Sequence, residues 1–125
     1  MGENRIKLVA ADMDGTLLNR ERKITKYTQN VIKKAMAQGV YFVPATGRAV
    51  NALPPELKEM EGIRYGIFSN GATIYDLKEE KVIYKNHFEM DRVLELMDFL
   101  KQFDLMESIS LNGQSYACLL YTSPS

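Results

Sequence analysis

Leu8-Val9-Ala10-Ala11-Asp12-Met13-Asp14-Gly15-Thr16-Leu17-Leu18 is the stretch on which the fold turns. Residues 8–11 hold no polar side chain, so they read as a strand buried on both faces, as in parallel sheets. Ligands of open α/β sheets sit beyond the carboxyl ends of such strands. Asp12 and Asp14 fall at that end, and Gly15 permits a tight turn that lets backbone N–H groups approach an anion.

The spacing dictates the chemistry. Two carboxylates one residue apart repel, and left alone one of them tends to keep a proton. A hard cation relieves this, because Mg²⁺ takes oxygen ligands and commonly combines one or two carboxylates with waters. An Asp held against Mg²⁺ and a phosphate can attack phosphorus. Its neighbour can protonate the leaving oxygen and then deprotonate water. The expected roles are Asp12 as nucleophile and Asp14 as general acid/base, both near the metal, with the backbone of Met13 and Gly15 against the phosphate. Read alone, the string is also consistent with a solvated acidic turn. By average residue usage, Asp-x-Asp-Gly-Thr arises by chance at roughly one position in a hundred thousand.

Residues 12–17 resemble the first motif of the haloacid dehalogenase (HAD) superfamily, Asp-x-Asp-Gly-Thr-Leu. The resemblance implies a Mg²⁺-dependent phosphoryl-transfer enzyme with Asp12 as nucleophile. The charged residues 19–23 read as a solvated loop, and the family places a mobile flap there.

Further along, Thr25 is an N-cap for a helix to about residue 38. Thr28, Val31, Ile32, Ala35 and Met36 share one face, and Gly39 follows as a C′ residue. Residues 40–43 read as a second buried strand, completing a βαβ unit with parallel strands. It runs into Pro44-Ala45-Thr46-Gly47-Arg48. A hydroxyl followed by glycine at a strand end suits a phosphate oxygen, although Thr-Gly alone is equally a turn. The family's second motif, a Thr or Ser, stands here, and Ala-Thr-Gly-Arg is typical of its Cof-type branch. Thr46 and Gly47 are carried over as phosphate-binding, with Arg48 contacting substrate, capping the crevice or standing exposed at a helix start.

Residues 49–60 look helical but are interrupted at Pro54-Pro55. Residues 65–69 read as a third strand that ends in Asn70-Gly71-Ala72. A similar Asn-Gly-Ala occurs in Cof-type phosphatases, which implies a supporting site role for Asn70. Residues 73–75 and 82–84 suit a hairpin. The one histidine, His87, reads as a surface residue. Asp91 caps a helix to about residue 103, with Val93, Leu94, Met97 and Leu100 as its stripe. Residues 109–116 read as a strand turning at Asn112-Gly113.

The expected architecture is α/β, a partial Rossmann-like, HAD-type parallel-sheet core followed by the start of an inserted α/β cap. Residues 1–86 would be core, residues 87–116 the beginning of the cap, and residues 117–125 a tail of doubtful origin resembling a translated cloning tail. The family's later Lys and its Gly-Asp-x-x-x-Asp acids have no counterpart after Asn70, so this stretch by itself is expected to be poorly active or inactive.

Composition narrows the partners. The 125 residues are 46% apolar and 26% charged, with Lys+Arg and Asp+Glu at 16 each. Zero net charge gives no electrostatic reason to expect nucleic acid or an anionic membrane. No apolar run approaches the roughly 20 residues that span a bilayer. A single cysteine, Cys118, fits a reducing cytoplasm. The expected function is a Mg²⁺-dependent phosphatase acting through an aspartyl-phosphate on small phosphorylated metabolites. A phosphomutase of the same superfamily and a non-catalytic phospho-accepting or Mg²⁺-binding module stand as alternatives. Oligomeric state is not legible.

Overall fold

A computed structural model describes residues 5–112 and 114–118. Five strands form one sheet in the order β1 (Leu8–Asp12), β2 (Tyr41–Ala45), β3 (Tyr65–Phe68), β4 (Thr73–Asp76) and β5 (Lys81–Lys85). The first three are parallel, and β3, β4 and β5 pair antiparallel. Helix α1 (Lys26–Ala37) links β1 to β2, and the short α2 (Pro55–Lys58) lies between β2 and β3. Helix α3 (Met90–Leu100) leads to a separate hairpin, β6 (Glu107–Leu111) with β7 (Gln114–Cys118). The architecture is a Rossmann-like core that passes into a second α/β segment. Among the described residues no helix is long and apolar enough to cross a membrane.

Local chemistry explains the boundaries of α1. Thr25 Oγ1 accepts from the Thr28 N–H at 3.2 Å, a side-chain N-cap. At the other end Gly39 N–H donates to Met36 O and Val40 N–H to Ala35 O, the two bonds of a Schellman stop. Ile32 is buried and Ala35 and Met36 are half-buried, while Val31, expected on the same face, is exposed. The Pro54-Pro55 break falls as expected, between a 3-10 turn at Val50–Ala52 and α2.

Several expectations fail for physical reasons. Strand β1 is not buried on both faces, since Leu8 is 53% and Val9 39% exposed. Its only sheet neighbour among the described residues is β2, so it is an edge strand rather than an inner one. Strand β2 continues through Pro44 to Ala45. Asp91 does not cap α3. Glu89 occupies that position without a side-chain bond, and Asp91 sits in the first turn, where its charge suits the helix dipole. Helix α3 ends at Leu100, and Leu94 in its stripe is exposed. The strand expected to turn at Asn112-Gly113 is present as the β6–β7 hairpin, with Gly113 itself outside the described residues. Strand β7 runs through Cys118, and residues 119–125 of the expected tail also lie outside them.

The core lies beneath the loops at the strand ends. Met13, Leu18 and Ile24 from the segment after β1 meet Val50, Leu53, Leu57, Met60 and Ile63 from the segment after β2. Ile32, Phe42 and Phe68 complete the cluster, in which Met13, Leu57 and Phe68 are fully buried.

Outside that cluster, Asp76 is the buried charge that fastens the β4–β5 hairpin. It is 2% exposed, and Oδ2 accepts from Arg64 Nε at 3.1 Å and Nη2 at 3.0 Å. Oδ1 accepts from the backbone N–H groups of Lys78 and Glu79, each at 3.0 Å. The Glu79 N–H, followed by Arg64 and Lys78, holds its carboxyl below the ordinary value of 3.8 against the opposing effect of burial. A depressed native pKa means stability present above the unfolded value and lost as pH falls through it towards the native one. Asp76→Asn should therefore melt below wild type at pH 7, and the gap should narrow in thermal melts taken as pH drops from 5 towards 3. A gap that stays constant would contradict this assignment.

Candidate functional site

The register of β1 against β2 builds the site. Asp12 pairs with Ala45, so the residues that follow, Met13-Asp14-Gly15 and Thr46-Gly47-Arg48, leave the sheet side by side. After Asp12 the chain makes a tight loop over Met13–Leu17, closed by the Leu18 N–H on Met13 O at 2.9 Å. Asp14 (φ −70°, ψ 124°) and Gly15 (φ 80°, ψ −3°) have type II turn angles, and the second position of that turn needs glycine. The buried Met13 side chain anchors the loop from below.

Asp12 is exposed, and its Oδ1 accepts from the Met13 N–H at 2.7 Å. The other oxygen has no protein donor among the described residues. The Met13 amide, expected to face a phosphate, is thus engaged by Asp12. Asp14 is bound differently. Arg48 Nη2 meets Oδ1 at 2.6 Å and Nε meets Oδ2 at 3.0 Å, a bidentate fork across two loops. The Arg48 hydrogen bonds hold the Asp14 carboxyl below the ordinary 3.8, and the charges of Arg48 and, to a lesser extent, Arg22 act in the same sense. The guanidinium is shifted up in return. This pairing was not foreseen from the sequence, which left Arg48 on substrate, capping the crevice or exposed.

Thr46 is buried, and its Oγ1 accepts from the Arg48 N–H at 3.0 Å, which leaves the hydroxyl proton to donate. The turn after β3 braces this loop. Asn70 N–H donates to Thr46 O at 3.1 Å, and Ser69 N–H to Arg48 O at 3.0 Å. Ser69 (φ 52°) and Asn70 (φ 57°) are both left-handed, which costs roughly 1–2 kcal/mol each. The two hydrogen bonds hold them there. A Cβ at Gly47 would stand 2.8 Å from Asn70 Oδ1, so Gly47 lets the Asn70 amide lie on the loop. Asn70 therefore supports the Thr46 loop.

Residues 19–23 fold into a compact exposed turn. Asn19 Oδ1 accepts from the N–H groups of Glu21 and Lys23, each at 2.9 Å. His87 is exposed and, among the described residues, bonds only to the neighbouring Phe88 O. A cleft of about 950 Å³ opens beside Gly47 and Asn70 and runs on to β6. Ser69 and Glu107 are among its lining residues, and Ser69 Oγ and both Glu107 carboxylate oxygens are buried without a hydrogen-bond partner among the described residues. Neither residue carried any signal in the sequence.

The donor set fits a hard cation in part. Asp12 offers one unengaged carboxylate oxygen, but both Asp14 oxygens are held by Arg48. No group of three or more His, Cys, Asp or Glu gathers among the described residues.

Residues 9–122 match the family model of haloacid dehalogenase-like hydrolases. A Buchnera aphidicola protein is 39% identical over 113 residues, covering 88% of this chain and 40% of its own length. A 5-amino-6-(5-phospho-D-ribitylamino)uracil phosphatase of Bacillus subtilis is 37% identical over 89 residues, 68% of this chain and 36% of its own. A HAD-superfamily phosphatase structure from Bacteroides thetaiotaomicron superposes with a TM-score of 0.74 at 28% identity, over 97% of this chain and 44% of that one. The chain thus spans well under half the length of these relatives.

Gly47→Ala should push the Asn70 amide off the Thr46 loop at a cost of roughly 1 kcal/mol. The readout is the Asn70 side-chain amide pair in ¹⁵N NMR, which should shift. Unmoved resonances would contradict the brace.

Proposed function

The chain belongs to the haloacid dehalogenase-like hydrolases, and from that premise we propose that it carries the phosphate-handling part of a Mg²⁺-dependent phosphoric monoester hydrolase. The observation behind this reading is the β1–β2 register, which sets Asp12 level with Ala45 and one residue short of Thr46. A nucleophile and a phosphate-oxygen donor are then neighbours by backbone pairing, before any side chain adjusts.

Asp12 is the nucleophile. Its Oδ1 is fixed by the Met13 amide, which turns the other oxygen towards an incoming phosphorus. The Thr46 hydroxyl and the backbone around Gly47 hold the phosphate oxygens, and Arg48 adds positive charge beside them. As the Asp12 oxygen bonds to phosphorus, the ester P–O bond breaks and Asp14, released from Arg48 and protonated from water, gives that proton to the leaving oxygen. The alcohol departs and leaves phospho-Asp12. Water then bonds to phosphorus, Asp14 takes one of its protons, and the Asp12–phosphorus bond breaks to release inorganic phosphate. Mg²⁺ would be held by Asp12 with Asp14 nearby and would supply charge neutralisation for the phosphate. The organic part of the substrate extends into the cleft beside Gly47 and Asn70. The substrate class is a small phosphorylated metabolite.

The test is hydrolysis of p-nitrophenyl phosphate by the protein expressed from its full reading frame, with and without Mg²⁺. Turnover should need the metal, and Asp12→Asn should lower kcat by about 10⁴-fold. An Asp12→Asn protein that works at the wild-type rate would overturn the nucleophile assignment.

A further inference from the structure

We propose that Arg48 serves two anions in turn: it parks Asp14 in the ligand-free protein, and an arriving phosphate takes over the guanidinium and sets the Asp14 carboxylate free. The proposal rests on the reading that the Thr46 loop binds phosphate.

The two partners are held unequally. Arg48 is fixed at three points besides Asp14. Its N–H donates to Thr46 Oγ1 at 3.0 Å, its C=O accepts from the Ser69 N–H at 3.0 Å, and Nη1 donates to Ala52 O at 3.0 Å. Its side chain is 25% exposed. Asp14 has no such anchors. Its side chain is 56% exposed, and its carboxylate has no hydrogen-bond donor besides Arg48 among the described residues. The loop beneath it is secured by Met13, not by Asp14. Breaking the fork therefore lets Asp14 swing towards solvent while Arg48 keeps its place.

The chemistry favours exchange. A guanidinium fork accepts carboxylate or phosphate in the same bidentate geometry. A phosphate dianion carries twice the charge of the Asp14 carboxylate. It would also be held by Thr46 and Gly47, two and one residues before Arg48. Asp14 cannot deliver a proton while both its oxygens accept from Arg48. Occupancy of the phosphate site would then be the event that frees it to act.

The experiment is titration calorimetry of inorganic phosphate into the full chain, as wild type, Asp14→Asn, Arg48→Gln and the double variant, with Thr46→Ala as a reference. Competition for one guanidinium predicts that Asp14→Asn tightens phosphate binding by about fivefold or more and that Arg48→Gln weakens it. It also predicts that the gain from Asp14→Asn disappears in the Arg48→Gln background. An equal gain in both backgrounds would show simple relief of charge repulsion and would overturn the proposal. No gain at all would overturn it too. Thr46→Ala separates the two levels. If it weakens phosphate binding while the cycle is additive, only the exchange fails. If it binds phosphate like wild type, the phosphate-loop reading fails and the exchange fails with it. Should Arg48→Gln not fold, Arg48→Met, which also removes the charge while keeping the aliphatic stem, takes its place and the same criteria apply.

Discussion

Parallel pairing of β1 with β2, in the register that sets Asp12 beside Ala45, is the constraint from which the site follows. Strand rise and spacing are fixed by the backbone, so two parallel strands that end level deliver their next residues to one place. One loop brings two acids and the other a threonine, a glycine and an arginine. The Arg48–Asp14 fork then ties the two loops together at 2.6 and 3.0 Å. Asp14 is half-exposed, so the fork is better regarded as a geometric latch than as a source of stability.

The same loops supply much of the core. Met13 and Leu18 come from one, and Val50, Leu53 and Leu57 follow the other. Polar chemistry above and apolar packing below therefore share one short backbone segment at each strand end. A site built this way is stiff at its base, because Met13 and Leu57 are fully buried, and open to solvent at its tips, where Asp12 and Asp14 are exposed. The left-handed Ser69 and Asn70 add a third support by donating their N–H groups to Arg48 and Thr46. Strain of that kind persists where surrounding bonds over-determine it, and such places are often functional.

Much of this was legible in the order of residues, and the limits have physical causes. The cap at Thr25, the stop at Gly39 and the break at Pro54-Pro55 are local events, set within three or four residues, so local chemistry found them. The placement of Asp12, Thr46 and Asn70 at strand ends was legible because motif and strand end coincide. The Arg48–Asp14 pair spans 34 positions, and no local rule reaches that far. Burial of β1 was misjudged because an apolar run reports what a strand can bury, not which neighbours it has. Met13 was read only for its backbone, against the phosphate, yet its buried side chain anchors the loop after β1. The apolar stripe of α3 reads the same whether covered or exposed. Ser69 and Glu107 became visible only when the cleft brought them together.

The central claim is that Asp12 accepts a phosphoryl group beside Thr46. Fluoroberyllate, which mimics a phosphoryl group on a carboxylate, reports on this without turnover. In ¹⁹F NMR with Mg²⁺ present, wild-type protein should give bound fluoride resonances that vanish in Asp12→Asn. The same bound resonances in Asp12→Asn, or their loss only when a distant carboxylate is changed, would contradict it.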